Sequence, residues 1–498
     1  MFAAAMKTIY TTTWNNAKSL NTPDKSDEYH GRVALFFHAI RGIYTVDLEN
    51  KMKKASEENL IDAIVLAFNA RDCRGGKGER EIGRKLFRWL MEKYPVHFRK
   101  VLHLIPEYGR WDDLLFLLRD PWSDREHILE FLSSQLKKDK ALMLEGKPIS
   151  ICAKWCPSEG DSDDRKYKLV EMICRHMKIT PRQYRTEYTT PLRAYLNVVE
   201  RLMCSGRWED IDLSKVPSCA IKRLKKAFEK HIPDIFNEWK AGLVEGKTTV
   251  KAKQLFPYEI VKEIRERHGA HDDVSEAQWK VLEDELRKSG VLESSVVVVD
   301  MSGSMESPKY LPADNAIALG LIVSSVVTGE FHNHVISFAD NPQFLKLEDG
   351  TIASRYNQIN RLEVGYSTDI QKVFELILER GKSAGLTDAD MPKKIWIISD
   401  MQFNDNNYIS GTTNFEAIEA KYTAFNFTRP QIVFWNVNGK ITDYPVSVDD
   451  NGTCLISGFS PSILKSILTT SDFSSIGILR TEIDSERYKQ IRDLFIDV

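Results

Sequence analysis

No disulfide framework can be drawn from this sequence. Its seven cysteines, Cys73, Cys152, Cys156, Cys174, Cys204, Cys219 and Cys454, are odd in number and scattered along 498 residues, the usage of a reducing compartment. Only Cys152 and Cys156 lie close together. With no second Cys/His pair at zinc spacing, they read as small buried hydrophobes rather than metal ligands. No stretch reaches 18 consecutive apolar residues, which argues against a membrane-spanning helix. The opening "MFAAAMKTIYTTTW" lacks the basic region and long apolar core of a secretory leader. An intracellular protein, cytoplasmic in the first instance, is expected, with the nucleus or a virus-infected cell as alternatives.

Familiar catalytic motifs are missing as well: there is no G-x-S-x-G elbow, no H-E-x-x-H and no kinase set. His332 and His334 fall on one face of an expected strand, but no third ligand lies near them in the sequence. The expectation is a protein that is not an enzyme and carries no nucleotide cofactor.

What is present is an ordinary globular composition, 42% hydrophobic and 10% aromatic, enough for two or three domains. The net charge of −2 conceals two unlike halves: residues 1–290 stand at +8 and residues 291–498 at −10. The positive excess concentrates in residues 71–110, with 11 basic against 5 acidic side chains, and in "SKVPSCAIKRLKKAFEK", with six against one. Such clusters attract polyanions, although a charge run also serves as a solvated helix face.

Hydrophobic periodicity changes where the charge changes. From about residue 30 to 290 apolar residues recur at helical spacing, as in "ENLIDAIVLAFNA", "REIGRKLFRWLMEKY", "RWDDLLFLLRD", "REHILEFLSSQLKK" and "TPLRAYLNVVERLM". Paired helices of this kind imply a HEAT-like solenoid or ring over residues 31–290, after an N-terminal segment of residues 1–30. "HGAHDDVSEAQWKVLEDELRKSG" reads as a last charged helix leading into the second half. Residues 291–498 then alternate strand and helix, with strands expected in "SSVVVVDMS", "NHVISFAD", "PQFLKLE", "KKIWIISDMQF", "PQIVFWNVNG" and "GTCLISGF". This is the pattern of a doubly wound, mostly parallel α/β sheet of Rossmann type.

In such folds ligands bind beyond the carboxyl ends of the strands, at the point where the chain's connections diverge. Asp300, Ser302 and Ser304 form D-x-S-x-S directly after the buried run "VVVV". Thr368, in "GYSTDI", precedes a helix, and Asp400 ends the strand "IWIIS". Two carboxylates and three hydroxyls make an all-oxygen site of low charge, suited to Mg2+, with Mn2+ or Ca2+ as substitutes. The other reading of D-x-S-x-S is a helix cap.

These residues resemble the metal-ion-dependent adhesion site of von Willebrand factor A domains. The resemblance implies that the serines and the threonine hold the ion directly or through water, and that an acidic side chain of a partner fills an open position. Two departures stand out. Gly365, Tyr366, Ser367 and Thr368 replace the family's G-G-T, so either Ser367 or Thr368 can serve as the ligand. Met401 follows Asp400 where the family commonly has glycine.

The helical half is similar to the TROVE module of the Ro autoantigen and of telomerase- and vault-associated proteins, through "FNARDCRGGKGEREIGRKLFRWL" and "LIPEYGRWDDLLFLL". With "AKWCPSE" and "VPSCAIKRLKKAFEKH", the whole chain resembles more closely an uncharacterised family of eukaryotes and large DNA viruses that joins such a region to an A-like domain. The Ro resemblance implies a basic helical ring that binds small structured RNAs outside and misfolded RNA ends in its hole.

From the residues alone, "RDCRGGKGER" allows a tight turn at Gly75, Gly76 and Gly78. Arg74, Lys77 and Arg80 are then available to a phosphate chain, and Lys222, Arg223, Lys225 and Lys226 form a second basic run. The competing reading pairs the arginines of this region with Asp72, Glu79, Asp112 and Asp113 to lock adjacent helices, and it is preferred for Arg71 and Asp72. Tyr108 and Trp111 read as core packing rather than base-stacking platforms. Two functions from different classes follow: an RNA-binding protein of Ro type, or a scaffold whose metal captures an acidic residue of a partner protein. A nuclease is disfavoured because it normally needs more carboxylates to hold two metals.

Overall fold

The computed structural model describes residues 10–12, 18–20, 30–120, 124–252, 255–306, 312–338, 341–362, 369–403, 414–440, 444–445, 452–470 and 472–496. A short antiparallel pair, Tyr10–Thr12 with Lys18–Leu20, comes first. Between residues 30 and 287 every described element is helical. Those used below are α1 (His30–His38), α2 (Leu60–Arg71), α3 (Arg80–Lys93), α4 (Trp111–Leu118), α5 (Arg125–Leu144), α6 (Cys152–Trp155), α7 (Thr190–Tyr195) and α8 (Ser218–His231). The expected helix over "TPLRAYLNVVERLM" is broken in two, because Asn197 takes a left-handed φ of 47° between α7 and Val199–Cys204.

After Gly290 the six expected strands form: β1 (Ser295–Asp300), β2 (His334–Phe338), β3 (Phe344–Lys346), β4 (Lys394–Ser399), β5 (Gln431–Asn436) and β6 (Thr453–Ser457). They build one sheet in the order β6-β5-β4-β1-β2-β3, parallel except for the antiparallel edge strand β3. All six residues of β1 are buried, as β-branched side chains on a sheet covered on both faces should be. Helix α9 (Pro312–Val326) lies close against β1 because Gly320 has no side chain: a Cβ there would stand 2.4 Å from Val299 Cγ2. Helix α10 (Ile370–Ser383) is capped by Asp369, whose carboxylate accepts from the Gln371 and Lys372 amides at 3.0 and 3.2 Å. A further helix, Ile352–Ile359, was not anticipated from the sequence; its cap is Thr351, which accepts from the Ser354 amide.

The chain divides into two compact units, and the division does not fall at residue 290. One comprises Met1–Ala70, Gly75–Glu79 and Ala252–Lys489; the other comprises Arg71–Arg74, Arg80–Lys251 and Gln490–Val498. Polar ties join the flanking helices to the sheet. Arg265 grips Asp314 with two hydrogen bonds, at 2.8 and 3.1 Å, Arg355 pairs with Glu283 at 2.9 Å, and Asn69 donates to Glu482 at 2.8 Å.

In the helical unit the core of the expected interhelix lock is present. Asp113, fully buried, accepts from Arg71 Nε and Arg84 Nε at 2.7 Å each, and Asp112 takes Arg84 Nη2 at 2.8 Å. Tyr108 and Trp111 are buried there, Trp111 stacked on Phe131 at 5.4 Å.

Candidate metal centre and basic surface

The order of the sheet puts β1 between β4 and β2, so the chain leaves β1 in one direction and later returns on its other side at β4. The divergence point lies between the carboxyl ends of β1 and β4, where Asp300 ends one strand and Asp400 directly follows the other. Four of the five expected metal ligands meet there. Asp300 accepts from the Ser302 amide through Oδ1 at 2.9 Å and from the Ser399 hydroxyl through Oδ2 at 2.6 Å. The Ser302 and Ser304 hydroxyls lie 3.1 Å apart, and Ser304 reaches Asp400 with a side-chain hydrogen bond. Asp400 also accepts from the Gln402 amide at 3.2 Å. Thr368, with Gly365, Tyr366 and Ser367, lies outside the described residues.

Both carboxyls are almost wholly buried, and burial raises both above the ordinary carboxylate range. Asp400 is pushed up to about 7, by desolvation first and by the charge of Asp300 second. A buried carboxyl raised by desolvation and by the charge of its neighbour is one that a cation would relieve. Ser399 went unremarked in the sequence, although its position, last in the strand and one before Asp400, puts its hydroxyl on the neighbouring β1 end. Met401 adopts φ +66°, so the loop keeps the left-handed backbone that glycine would favour, at a cost of about 1 kcal/mol for a side chain.

Among the described residues no group of three or more His, Cys, Asp and Glu side chains is placed to hold a metal, so any ion here depends on hydroxyl oxygens as well as the two carboxylates. The imidazoles of His332 and His334 bond backbone carbonyls, those of Val327 and His332, at 2.7 and 3.0 Å.

The basic residues are more dispersed. Lys77, expected at a phosphate, is instead only 6% exposed. Its ammonium donates to the Phe36 carbonyl at the end of α1 and, at 2.7 Å, to the Ser457 hydroxyl at the end of β6. Burial lowers it to about 7, against the opposing pull of Glu79 and Glu482. A cation so enclosed cannot reach a polyanion, and the expectation for this residue fails. Arg74 is exposed and donates to the Glu107 carbonyl, while Arg80 is exposed beside Glu81 at 3.2 Å. Of the three glycines, only Gly78 takes a positive φ, +67°.

The second run is more open to solvent. Helix α8 buries Ser218, Ile221 and Phe228 on one face and leaves Arg223 and Lys226 exposed, with Lys222 and Lys225 half-exposed. Arg223 reaches Glu200 at only 3.4 Å.

Residues 294–493 match the model of one domain of unknown function, DUF7788, and residues 125–292 that of another, DUF2828. The chain is 29% identical over 501 residues to the uncharacterized protein L728 of Acanthamoeba polyphaga mimivirus, a match covering 94% of this chain and 86% of that protein. The expected likeness to an uncharacterised protein of a large DNA virus is therefore met. Among solved structures, the crystal structure of the Deinococcus radiodurans RO (RSR) protein aligns with 92% of this chain and 99% of its own, at 13% identity and a TM-score of 0.37. No described helix is long and apolar enough to cross a membrane.

Proposed function

We propose that this protein is a non-catalytic RNA-binding protein, in which the basic helical region holds small structured or misfolded RNA and the A-like domain carries a divalent-metal site. The observation that carries this reading is α8, whose solvent side presents Lys222, Arg223, Lys225 and Lys226, with Glu229 the only acidic residue in the helix. A helix with one apolar face and an opposite cationic face can follow a phosphate backbone without reading bases. Arg74 and Arg80 remain part of the proposed surface; Lys77 does not.

Asp300, Ser302, Ser304 and Asp400 fit Mg2+ by donor chemistry, since hard oxygens with two negative charges suit a hard cation. When bound, the ion would neutralise the buried pair and offer a position to an outside carboxylate. Two carboxylates are too few for the paired metals of hydrolytic nucleases, which supports the non-catalytic reading. The same open position supports the second reading, a scaffold that captures an acidic residue of a partner protein.

Filter binding at two salt concentrations separates them. Wild type should bind unrelated RNAs with affinity that falls as salt rises, with a slope of about −0.7 per phosphate neutralised on single strands. Changing Lys222, Arg223, Lys225 and Lys226 to glutamate should weaken binding to all of them alike. Indistinguishable weak binding by both proteins would favour the scaffold.

A further inference from the structure

We propose that Cys152 and Cys156 form a reversible peroxide-responsive disulfide that loosens the packing around α6. Their sulfurs lie 3.9 Å apart, both thiols are free, and both residues are buried, at 0% and 4% exposure. No other function described for this chain uses them.

The turn that carries them is short and fastened at both ends. Ahead of it, Asp139 accepts from the Ser150 amide and hydroxyl at 3.0 and 2.6 Å, and the Ser150 oxygen accepts from the Cys152 amide at 3.2 Å. Behind it, Arg193 of α7 donates to the carbonyls of Ala153 and Cys156 at 2.8 and 2.5 Å, while the Tyr184 hydroxyl donates to the Pro157 carbonyl at 3.1 Å. Helix α6 also packs on α4, α5 and α7, so a change in its shape reaches several helices at once.

The pair is chemically unequal. Burial pushes the Cys152 thiol well up, whereas a hydrogen bond from Cys152 lowers Cys156. Cys156 gives up its proton the more readily of the two, so it takes the attacking role and Cys152 the resolving one. Cys156 attacks one oxygen of hydrogen peroxide, the O–O bond breaks, and the leaving hydroxide takes up a proton as water, leaving a sulfenic acid. The Cys152 sulfur then displaces the sulfenic oxygen, which leaves as a second water after taking the Cys152 proton. Two thiols and one peroxide become one disulfide and two waters, and an added dithiol reverses the step.

Access comes from opening of the single-turn helix, which follows the exposed segment ending at Ile151, 48% exposed. Closure cannot be silent. Helical residues four apart hold their Cβ atoms about 5–6 Å apart, whereas a disulfide draws them to about 3.8 Å. The bond must distort α6 and pull at the carbonyls that Arg193 holds. A strained bond of this kind is readily reduced.

Lys154 lies between the two cysteines, which makes the test direct. The full-length protein is treated with graded hydrogen peroxide, quenched, denatured, alkylated and digested with trypsin. Cleavage after Lys154 separates the cysteines, so the disulfide appears as two linked peptides, one ending at Lys154 and one beginning at Trp155. The linked pair should rise with peroxide, vanish after dithiothreitol and be absent from Cys156→Ser. In a Cys204→Ser/Cys219→Ser background, which removes the two exposed thiols, peroxide should lower the melting temperature reversibly; adding Cys156→Ser should abolish that shift. Should Cys152 and Cys156 stay fully alkylatable in wild type at peroxide levels that oxidise Cys204 and Cys219, or link to other cysteines instead of each other, the proposal is overturned.

Discussion

Lys77 illustrates how a single residue's role turns on its surroundings. In "RGGKGER" it reads as a mobile cation beside glycines, yet its ammonium is enclosed between the Phe36 carbonyl and the Ser457 hydroxyl. Its proton affinity falls from the ordinary lysine value of 10.5 to about 7 because burial disfavours the charge. Between those two values the unfolded chain holds a proton that the folded one lacks, so stability should rise with pH across that window. Below about 7 both states are protonated and the desolvation penalty stands in full. The slope has a ceiling of about 1.4 kcal/mol per pH unit. Lys77→Met should remove that slope and stabilise the fold more at pH 6 than at pH 9. The Phe36 carbonyl keeps a donor, since Ser457 already reaches it at 3.1 Å. Urea unfolding of both proteins across this range reads the difference directly; parallel pH profiles would show that the amine is neither as buried nor as perturbed as the structure has it.

At the scale of elements, buried charge pairs as well as apolar surface join the helices of the basic half. Asp113 at the start of α4 receives Arg71 from the end of α2 and Arg84 from α3, with Arg71 only 2% exposed. Removing the shared carboxylate leaves a buried guanidinium without compensation, and Asp113→Ala should cost about 3–5 kcal/mol. Asp112 contacts Arg84 from a side chain 21% exposed, and Asp112→Ala should cost about 1 kcal/mol or less. Chemical denaturation of the two variants side by side distinguishes a buried hub from a solvated cluster, because equal small losses are expected only of the latter.

For the molecule as a whole, the proposed metal site and its pH dependence belong together. Asp400 titrates near 7 when folded and near 3.8 otherwise, so in the absence of metal the folded state holds the extra proton and loses stability as pH rises between those values. A divalent ion held by the same oxygens would replace that proton. Magnesium at roughly 10 to 100 times its dissociation constant should stabilise the protein by about 1.4 to 2.7 kcal/mol, more at pH 8 than at pH 5.5, where protons compete. Asp300→Ala should abolish the effect while leaving a folded protein. Calorimetric melts that show no response of wild type to magnesium or manganese at either pH would mean the oxygen cluster is not a metal site.

Local order was readable in the residues. A run of four valines bounded by Ser295 and Asp300 can only satisfy its stiff, branched side chains in a strand covered on both faces, and all six strands appear where the alternation placed them. The helix Ile352–Ile359 is hard to read from the residues because its eight positions offer barely two turns of periodicity, and its one strong local signal is the Thr351 cap. The convergence of Asp300, Ser302, Ser304 and Asp400 was also legible, since strand ends in a parallel sheet carry their own address. Three things were decided by tertiary structure alone. The grouping of residues 30–70 and 252–287 with the sheet depends on pairings between residues far apart in the chain, such as Arg265 with Asp314 and Asn69 with Glu482. The fate of each cation in the glycine-rich loop depends on burial, which periodicity does not report for irregular backbone. The meeting of two sulfurs at Cys152 and Cys156 follows from helical spacing, but their isolation from water does not: it is set by the helices packed around that turn.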